Sequence, residues 1–304
     1  MRVVLIGLPD LTRSWKHDLA AAGERLGWDV AHLPPHDAGR ICRALPGADM
    51  LLWARTPGRS TPQGERVLAA ARDAGVTTVG VHLDLYWTRP AREAEIGRNA
   101  WWQCDFVFTA DGGHQREFAA RGVNHRWLPP PASRRWLTPG VVDKARWPQP
   151  IVFVGTCPAG AHRDHRRRLL TWARARYGPQ FGWYGTPDRR VWGDDLSSLY
   201  ATARIVLAES VPSPRYWSDR VPLTLARGAP LAHQGTEGLA DQGFGPDIVL
   251  TYGLDEFGPL GNLIDNITDH ELRERAERGR ALVEEQHLWE HRLQEIEAVV
   301  RGTG

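Results

Sequence analysis

The chain predicts an α/β protein with two domains, each built on a doubly wound parallel sheet. Short apolar runs alternate with helical patterns along its length, and this alternation is typical of parallel sheets covered by helices. A proline-rich stretch that begins at Pro129 interrupts the alternation once, after which it starts again. The length of 304 residues exceeds the usual range for one domain. It fits two domains of about 150 residues each.

The first half starts with a continuous apolar run, Val3–Gly7, which predicts a strand covered on both faces. Apolar residues then recur at helical spacing from Trp15 to Leu26, and Gly27 ends that helix. The other elements predicted in this half are strands at Asp29–Leu33, Met50–Ala54, Thr77–His82, Phe106–Thr109 and His125–Leu128, and an alanine-rich helix at Pro62–Ala74.

The second half restarts with the apolar run Ile151–Gly155. Its other predicted strands are Phe181–Tyr184, Ile205–Ala208 and Ile248–Tyr252. Its predicted helices are Arg163–Tyr177, Asp195–Ala203 with Asp195 as N-cap, Arg220–Arg227, a helix that starts at a capping box of Thr268 and Glu271, and His291–Val300. We therefore predict a first domain of residues 1–132, a linker of residues 133–149 and a second domain of residues 150–288.

The composition excludes several classes of protein. With 42% hydrophobic residues and a net charge of +2, the chain can bury ordinary cores, and its charge is too small to indicate nucleic-acid binding by itself. Three cysteines without CxxC spacing predict neither a disulfide framework nor a zinc site, and they favour a reducing compartment. The N-terminal apolar run is too short for a signal peptide or a membrane span. We expect a cytoplasmic protein with no metal site.

Ligands of doubly wound sheets bind outside the carboxyl ends of the strands, so the loops there are candidate sites. The loop after the first strand of the second half holds Gly155 and Thr156 and leads to Arg163 and Arg166. Gly155 would let a ligand approach the backbone, and an arginine in the next helix could bind a diphosphate through paired hydrogen bonds. The alternative is an ordinary turn followed by a solvated, arginine-rich helix face.

A second candidate lies where Ser218, Asp219, Arg220 and Val221 open an apolar helix. A loop that enters a helix aims free backbone N–H groups and the positive end of the helix at one point, where a diphosphate can bind. We therefore expect Ser218 and Arg220 to bind the phosphates of a ligand.

His82 and Asp84 close a predicted strand of the first half. Their side chains project to the same side if the segment is extended, because strands have a period of two. The imidazole could then act as a base that takes a proton from an acceptor hydroxyl. A buried histidine with a structural role is the alternative.

Two further loops of the first half follow strand ends. Leu8 and Asp10 lie in the first loop, where they could contact an acceptor. The loop has no GxGxxG pattern, which argues against an NAD-dependent dehydrogenase. Asp111 and His114 flank two glycines that would permit a close approach of backbone to substrate, with an ordinary turn as the alternative.

The run from Tyr216 to Arg292 resembles the C-terminal half of the spore-maturation-protein-like glycosyltransferases of the group 1 family. The family pattern is Ser-x-Arg-x-(Phe)-Glu-x-x-Ala-x-Gly, then an acidic-Gly pair and a closing His-Thr-(aromatic)-x-x-Arg. The matching positions here are Ser218, Arg220, Ala226, Gly228, Glu237, Gly238, His287 and Arg292. The resemblance implies the GT-B fold, in which two Rossmann-like domains face a cleft. It also implies that the last helix, residues 289–304, crosses back onto the first domain.

The same resemblance implies a glycosyltransferase that binds a nucleoside-diphosphate sugar in its second domain and a hydroxyl acceptor in its first. It implies retention of the anomeric configuration. No metal or cofactor is implied, because a helix dipole and basic side chains take up the diphosphate charge. Trp183, Tyr184 and Gly185 would lie beside the nucleotide base, on which an aromatic ring could stack. His287 and Arg292 would pin the last helices rather than contact substrate.

Leu223 departs from the family pattern, because a glutamate that holds the ribose hydroxyls occupies this position in the relatives. A leucine side chain accepts no hydrogen bonds. Either another acid (Glu209, Asp219 or Glu237) replaces that glutamate, or the ribose is held differently. A donor that lacks one hydroxyl, such as a deoxythymidine diphosphate sugar, or a decayed site would also account for the leucine.

The sequence leaves the acceptor open among glycans, proteins, small molecules and DNA. Fourteen tryptophans, several of them near arginines around the proline-rich stretch, could hold a DNA backbone and an extruded modified base. Bacteriophage DNA-modifying glycosyltransferases act on such acceptors. Two more function classes stay open: a non-catalytic nucleotide-sugar-binding protein, which Leu223 favours, and a sugar-nucleotide epimerase.

Overall fold

The computed structural model describes residues 1–9, 14–55, 63–157 and 164–302. The chain separates into two compact units, each with one parallel sheet. The first unit consists of Met1–Pro129 together with Trp289–Gly304, and the second consists of Pro130–Leu288. The predicted α/β class with two doubly wound parallel sheets is confirmed.

The first unit holds a six-stranded sheet of order β2-β1-β3-β4-β5-β6 in which every pair is parallel. Its strands are β1 (Arg2–Ile6), β2 (Asp29–Leu33), β3 (Met50–Ala54), β4 (Thr77–His82), β5 (Phe106–Thr109) and β6 (His125–Trp127). Its helices are α1 (Trp15–Arg25), α2 (Ala38–Ala44), α3 (Gly64–Asp73), α4 (Pro90–Glu93) and α5 (Gln115–Ala119), with a 3-10 turn at Ala100–Gln103.

Both faces of this sheet are buried, as the continuous apolar runs predict. Alternate residues of β1 point to opposite sides, so Val4 and Ile6 join one core cluster while Val3 and Leu5 join the other. The parallel register pairs Leu5 with Leu52 and brings each strand end to the same edge.

The last helix, α11 (Trp289–Val300), belongs to the first unit. Trp289 stacks on Trp15 of α1 with ring centroids 5.5 Å apart, and Leu293 and Ile296 are fully buried in the same cluster. Arg292 donates from Nε to the carbonyl of Pro129 at 2.8 Å. The return of the final helix to the first sheet is therefore confirmed.

The second unit holds a five-stranded parallel sheet of order β11-β10-β9-β7-β8. Its strands are β7 (Ile151–Val154), β8 (Phe181–Tyr184), β9 (Ile205–Ala208), β10 (Leu231–Gln234) and β11 (Val249–Tyr252). Its helices are α6 (Asp164–Tyr177), α7 (Gly193–Thr202), α8 (Arg220–Ala226), α9 (Phe257–Asn266) and α10 (Asp269–Gln286), with 3-10 turns at Arg134–Trp136, Gly178–Gln180 and Ala240–Gln242.

The second unit differs from the sequence prediction in three places. Strand β10 and helix α9 were not predicted. Asp195 does not cap α7, which begins after Trp192; its carboxylate instead accepts two hydrogen bonds of 2.6 Å from Arg146. The capping box of Thr268 and Glu271 is present at the start of α10, as predicted.

The segment predicted as a linker packs against α7. Ser198 donates to the carbonyl of Val141 at 2.6 Å, and the amide of Asp143 donates to Thr202 at 2.8 Å. A Cβ on Gly140 would lie 2.1 Å from the backbone of Ser197, so only glycine permits this contact. In none of the described ranges is a helix both long and apolar enough to cross a lipid bilayer.

Candidate functional site

The carboxyl edge of the second sheet brings together the loops after β7, β8 and β9. Gly155 follows β7, with φ of +155°, and its N–H donates to the carbonyl of Tyr184 at 2.8 Å. A Cβ on Gly155 would lie 2.6 Å from Nη2 of Arg220. Gly185 has φ of +88°, and a Cβ there would lie 2.7 Å from the nitrogen of Gly155. Both glycines are required because two loops and a guanidinium meet in van der Waals contact.

Arg220, the first residue of α8, is held over this edge by the protein itself. Its Nε donates to the carbonyl of Val154 at 3.0 Å, and its Nη1 donates to Oγ of Ser218 at 3.0 Å. The guanidinium carbon lies 5.9 Å from the centroid of the buried Phe153 ring. The side chain is half-buried, so a fixed positive charge is presented at the edge.

A second cation, Arg166 of α6, lies over the same ring with its guanidinium carbon 5.7 Å from the centroid. Its Nη1 donates to the carbonyl of Thr156 at 2.6 Å, and its Nε donates to Glu209. His165 bonds to the other carboxylate oxygen of Glu209. Arg166 is only 5% exposed and Glu209 only 1%, so this ion pair is enclosed.

The environment fixes the charge of Glu209. Burial alone would raise the pKa of this carboxyl, but the hydrogen bond from His165 and the charges of Arg166 and Arg220 lower the pKa to about 2. Glu209 is therefore a carboxylate at neutral pH. Because both of its oxygens are already bonded, it is not available to hold ribose hydroxyls.

The start of α8 differs from the expectation of free backbone N–H groups. The amide of Ser218 donates to Oγ of Ser210 at 2.7 Å, and that of Arg220 to Oγ of Ser218 at 3.3 Å. The amide of Val221 donates to the carbonyl of Ser218 at 3.0 Å. These three amides are used inside the protein because residues 218–221 form a tight turn. Positive charge at this point therefore comes mainly from the side chain of Arg220.

A directional chain of hydrogen bonds fixes that turn. His233 Nδ1 lies against the carbonyl of Gln234, and a carbonyl only accepts, so Nδ1 carries the proton. Burial lowers the pKa of His233 to about 4, so the ring is neutral and Nε2 accepts. The hydroxyl of Ser210 then donates to Nε2 at 2.9 Å and accepts from the amide of Ser218. His233 and Ser210 were not predicted from the sequence. Each is a polar residue in or directly after an apolar strand, and this pattern could have identified them.

The two aromatic residues after β8 have different surroundings. Tyr184 is 3% exposed, donates its hydroxyl to Gln149 and packs edge-on against Trp147. Trp183 is half-buried and donates from Nε1 to the carbonyl of Gly155 at 2.8 Å. The ring of Trp183 therefore retains accessible surface beside Gly155, whereas that of Tyr184 is packed in the core.

The remaining predicted positions of this edge are spread around it. Thr156 is exposed and Val221 is buried. Asp219 is exposed and accepts from the hydroxyl of Ser218 at 3.0 Å, while Glu237 is exposed in the turn after β10. Arg163 lies outside the described residues.

The carboxyl edge of the first sheet places His82 at the end of β4. Its ring is 4% exposed and lies 5.3 Å from that of Tyr86. No hydrogen bond joins His82 to Asp84 in the described structure; Asp84 instead forms an ion pair with Arg92 and a looser one, 3.8 Å long, with Arg89. The segment after His82 is not extended, which is why the expected His–Asp pair does not form.

Electrostatics set the charge states of these two groups. Burial lowers the pKa of His82 to about 3; the charge of Asp84 opposes this shift, and the charges of Arg55, Arg92 and Lys16 add to it. Burial would raise the pKa of Asp84, but Arg92 above all holds the pKa below its usual range. At neutral pH the edge therefore carries a neutral imidazole beside an ionised carboxylate.

Asp111 is fully buried and organises the neighbouring loop. It accepts from the amides of Tyr86 at 2.9 Å and Trp87 at 3.0 Å, and from the hydroxyl of Thr109 at 3.0 Å. Burial raises its pKa to about 7, although these hydrogen bonds oppose the shift. Asp111 therefore holds the loop, and its carboxylate is not exposed to a ligand.

The other predicted residues of the first unit are His114, Leu8 and Asp10. His114 is partly buried and stacks on Trp87 with centroids 5.4 Å apart. Leu8 is partly buried after β1, and Asp10 lies outside the described residues. In the part of the chain that the structure describes, no group of three or more His, Cys, Asp or Glu side chains could hold a metal ion.

Comparison with known proteins gives a family match for part of the chain. Residues 163–298 match the family model described as glycosyl transferase-like. No curated protein matches the chain. The matched residues include α8, both buried members of the His233–Ser210 chain, and the closing residues His287 and Arg292.

Solved structures match the fold over its whole length. Sucrose-phosphate synthase from Thermosynechococcus elongatus has a TM-score of 0.64 at 14% identity, covering 99% of this chain and 98% of that one. HepE from Anabaena in complex with UDP and glucose has a TM-score of 0.66 at 12% identity, covering 99% and 100%. An E. coli structure described as trehalose-6-phosphate bound with UDP-2-fluoro glucose has a TM-score of 0.66 at 9% identity, covering 99% of both chains.

These matches agree with the two parallel sheets and the returning helix α11. The narrower resemblance to spore-maturation-protein-like members stays a prediction. The matched segment and the fold together identify the chain as a glycosyltransferase of the GT-B fold.

Proposed function

We propose that the chain transfers a sugar from a nucleoside-diphosphate sugar, bound by the second unit, to a hydroxyl acceptor bound by the first. The observation that carries this proposal is the half-buried guanidinium of Arg220, which the protein fixes beside Gly155 at the carboxyl edge of the second sheet. Gly155 lies against Arg220 with no side chain of its own, so a phosphate could approach both backbone and guanidinium.

The donor we propose is a uridine diphosphate sugar. HepE is described in complex with UDP and glucose, and the E. coli structure carries UDP-2-fluoro glucose. Arg220 would stabilise the charge that develops on the leaving diphosphate, which is the task of a metal in other transferases. We therefore propose a reaction that needs neither a metal nor a cofactor and that retains the anomeric configuration.

The nucleoside would lie over the loops after β8 and β10. The accessible face of Trp183 offers a surface on which a base can stack. Because Glu209 is enclosed and Leu223 cannot accept hydrogen bonds, the ribose would be held by another acid, and Glu237 and Asp219 are exposed and could do so.

On the acceptor side, His82 would receive the reacting hydroxyl. Its Nδ1 is buried and has no partner among the described residues. Because burial lowers the pKa of this imidazole to about 3, it would orient the hydroxyl and share its proton in the transition state rather than take it fully beforehand.

Substituting Arg220→Ala and titrating the whole protein with UDP tests the proposal. The loss of a charge-assisted hydrogen bond should weaken UDP binding by about 1.5–3 kcal/mol, or roughly 10- to 150-fold. The matched control is Arg168→Ala, which removes an exposed arginine of the same unit that pairs with Asp255. Isothermal titration calorimetry gives both affinities, and circular dichroism checks the fold.

Equal UDP affinity in wild type and Arg220→Ala would contradict this placement of the diphosphate. Transfer itself is followed by the release of UDP from UDP-glucose in the presence of acceptor, with and without EDTA. Loss of transfer on EDTA addition would overturn metal independence and leave the placement of the donor standing.

A further inference from the structure

Hydrogen-bonding atoms without partners gather at the carboxyl edge of the first sheet. His82 Nδ1, Trp87 Nε1, Arg89 Nε and His114 Nε2 are buried there, and each lacks a hydrogen-bond partner within the described ranges. Buried polar groups in folded proteins are nearly always bonded. A cluster of unbonded ones therefore indicates a ligand that completes the bonds.

Three of these four atoms lie on or against one loop, the loop that carries Trp87 and Arg89. Trp87 stacks on His114, and the loop that carries Trp87 is held by two hydrogen bonds to Asp111. Thr88, next in the chain, has φ of +66°, a conformation that strains a β-branched residue. Strain of this kind persists where the surroundings hold a segment in place for a task.

Cations outnumber anions around this loop. The side chains of Arg55, Arg89 and Arg92 are 12, 16 and 24% exposed, whereas the acids that pair with them are Asp84 and Glu95. Lys16 adds to the positive field at His82. With the buried Asp111 of the same loop counted as a third acid, the four cations still leave a small excess of positive charge in a partly desolvated setting, where electrostatic interactions are strong.

Arg89 has the most unused hydrogen-bonding capacity. Arg92 is bonded to Asp84 and donates to the carbonyl of Leu85 at 3.1 Å. Arg89 approaches Asp84 only to 3.8 Å, which is too long for a hydrogen bond. Its Nε is also unbonded.

We propose that the acceptor is a small molecule that carries a phosphate or a similarly compact dianionic group, such as a hexose phosphate. Arg89 and Arg92 bind the anion, and His82 Nδ1 accepts a hydrogen bond from the hydroxyl that receives the sugar. This inference rests on the proposed function, because it names the substrate class of the acceptor side. A small ligand is favoured over a DNA backbone because the unbonded atoms are buried rather than spread over an exposed surface.

The test is calorimetric titration of the full chain, saturated with UDP to occupy the donor site. The probes are inorganic phosphate, the 6-phosphates of glucose, fructose and mannose, and the three neutral hexoses. We expect at least one hexose phosphate to bind at least about tenfold more tightly than its neutral hexose, the difference that a charge-assisted hydrogen bond gives. Raising the salt concentration should weaken this binding.

Arg89→Gln and Arg92→Gln should each weaken the hexose phosphate at least about tenfold. Arg72→Gln is the matched control, because it removes the same charge from an exposed position on α3 and should leave the affinity unchanged. UDP affinity, measured separately, should be equal in all four proteins, which shows that the variants are folded.

Three results would overturn the inference: no probe binds more tightly than its neutral hexose, both glutamine variants bind like the wild type, or a DNA duplex displaces the bound phosphate ligand. Failure of the proposed function has a different signature. In that case UDP does not bind, while phosphate binding that depends on Arg89 remains.

Discussion

The carboxyl edges of the two sheets use similar residues but differ in how their hydrogen bonds are completed. In the second unit, Arg220 and Arg166 are fixed by carbonyl groups and by the enclosed Glu209. In the first unit, His82 and Arg89 each keep a buried atom unbonded. The comparison teaches that the arginines of the second edge are fixed before a ligand arrives, whereas His82 and Arg89 of the first edge keep hydrogen-bonding atoms that a ligand could use.

Two buried carboxyl groups show the same contrast in charge. Glu209 faces cations, and its pKa falls to about 2 in spite of burial. Asp111 accepts hydrogen bonds from neutral amides and a hydroxyl, and burial raises its pKa to about 7. The charge of a buried carboxyl therefore depends on whether its donors are charged.

Replacing Glu209 breaks the organised edge and gives the largest expected effect. Glu209→Ala removes the carboxylate that faces the buried Arg166, which should lower the free energy of unfolding by about 3–5 kcal/mol. Urea unfolding followed by circular dichroism measures the loss. The control is Asp265→Ala, which removes an exposed partner of Arg176 and should cost less than about 1 kcal/mol. An equal loss of unfolding free energy in the two variants would show that the buried ion pair stabilises the fold no more than an exposed one.

Lowering the pH should remove the stabilisation that ionised Glu209 gives to the wild type. Because the folded pKa of Glu209 lies near 2 and its ordinary value is 4.5, its ionisation stabilises the fold at pH above 4.5. That contribution, about 3 kcal/mol from a shift of this size, is lost as the pH falls from 4.5 towards 2. The stability difference between wild type and Glu209→Gln should therefore shrink over this range in urea titrations. A difference that stays constant would contradict the ion pair.

Substituting one histidine from each edge also tests the comparison, with a smaller expected change in the free energy of unfolding. His233→Ala removes two hydrogen bonds and leaves Ser210 and Gln234 unsatisfied, whereas His82→Ala removes no protein hydrogen bond at Nδ1. We expect His233→Ala to be less stable than His82→Ala by about 2 kcal/mol. The midpoints of urea unfolding give the difference.

His82→Ala should also lower turnover while leaving UDP affinity unchanged, and full turnover would exclude its role at the hydroxyl.

Strands could be predicted where apolar residues run without interruption. The bounds of β3, β4, β5, β8 and β9 agree with prediction to the residue. Strand β10 was missed because it has four residues, two of them the polar His233 and Gln234. Helix α9 was missed because Gly258, Pro259 and Gly261 interrupt its pattern, although its place is fixed by burial of Leu260 and Ile264.

The sequence could place the candidate sites at particular loops, since strand ends of a parallel sheet meet at one edge. It could not show that Glu209 is bound to His165 and Arg166, because these partners are 44 and 43 residues away in the chain. Nor were Arg55, Arg89 and Arg92 identified from the sequence, although each is a charged residue that follows an apolar strand within ten residues. Which charges pair is decided by tertiary contacts that a linear pattern does not contain.

Helix α11 has a consequence for how the protein is made. Most of the first unit emerges from the ribosome before the second unit, but residues of α11 that cover one face of its sheet emerge after the entire second unit. Until Leu293 and Ile296 are released, the nascent first unit exposes the apolar surface around Leu19. The first unit can therefore complete its core only after the second unit has been translated, and a chain cut short before Trp289 would be left with a surface prone to aggregation.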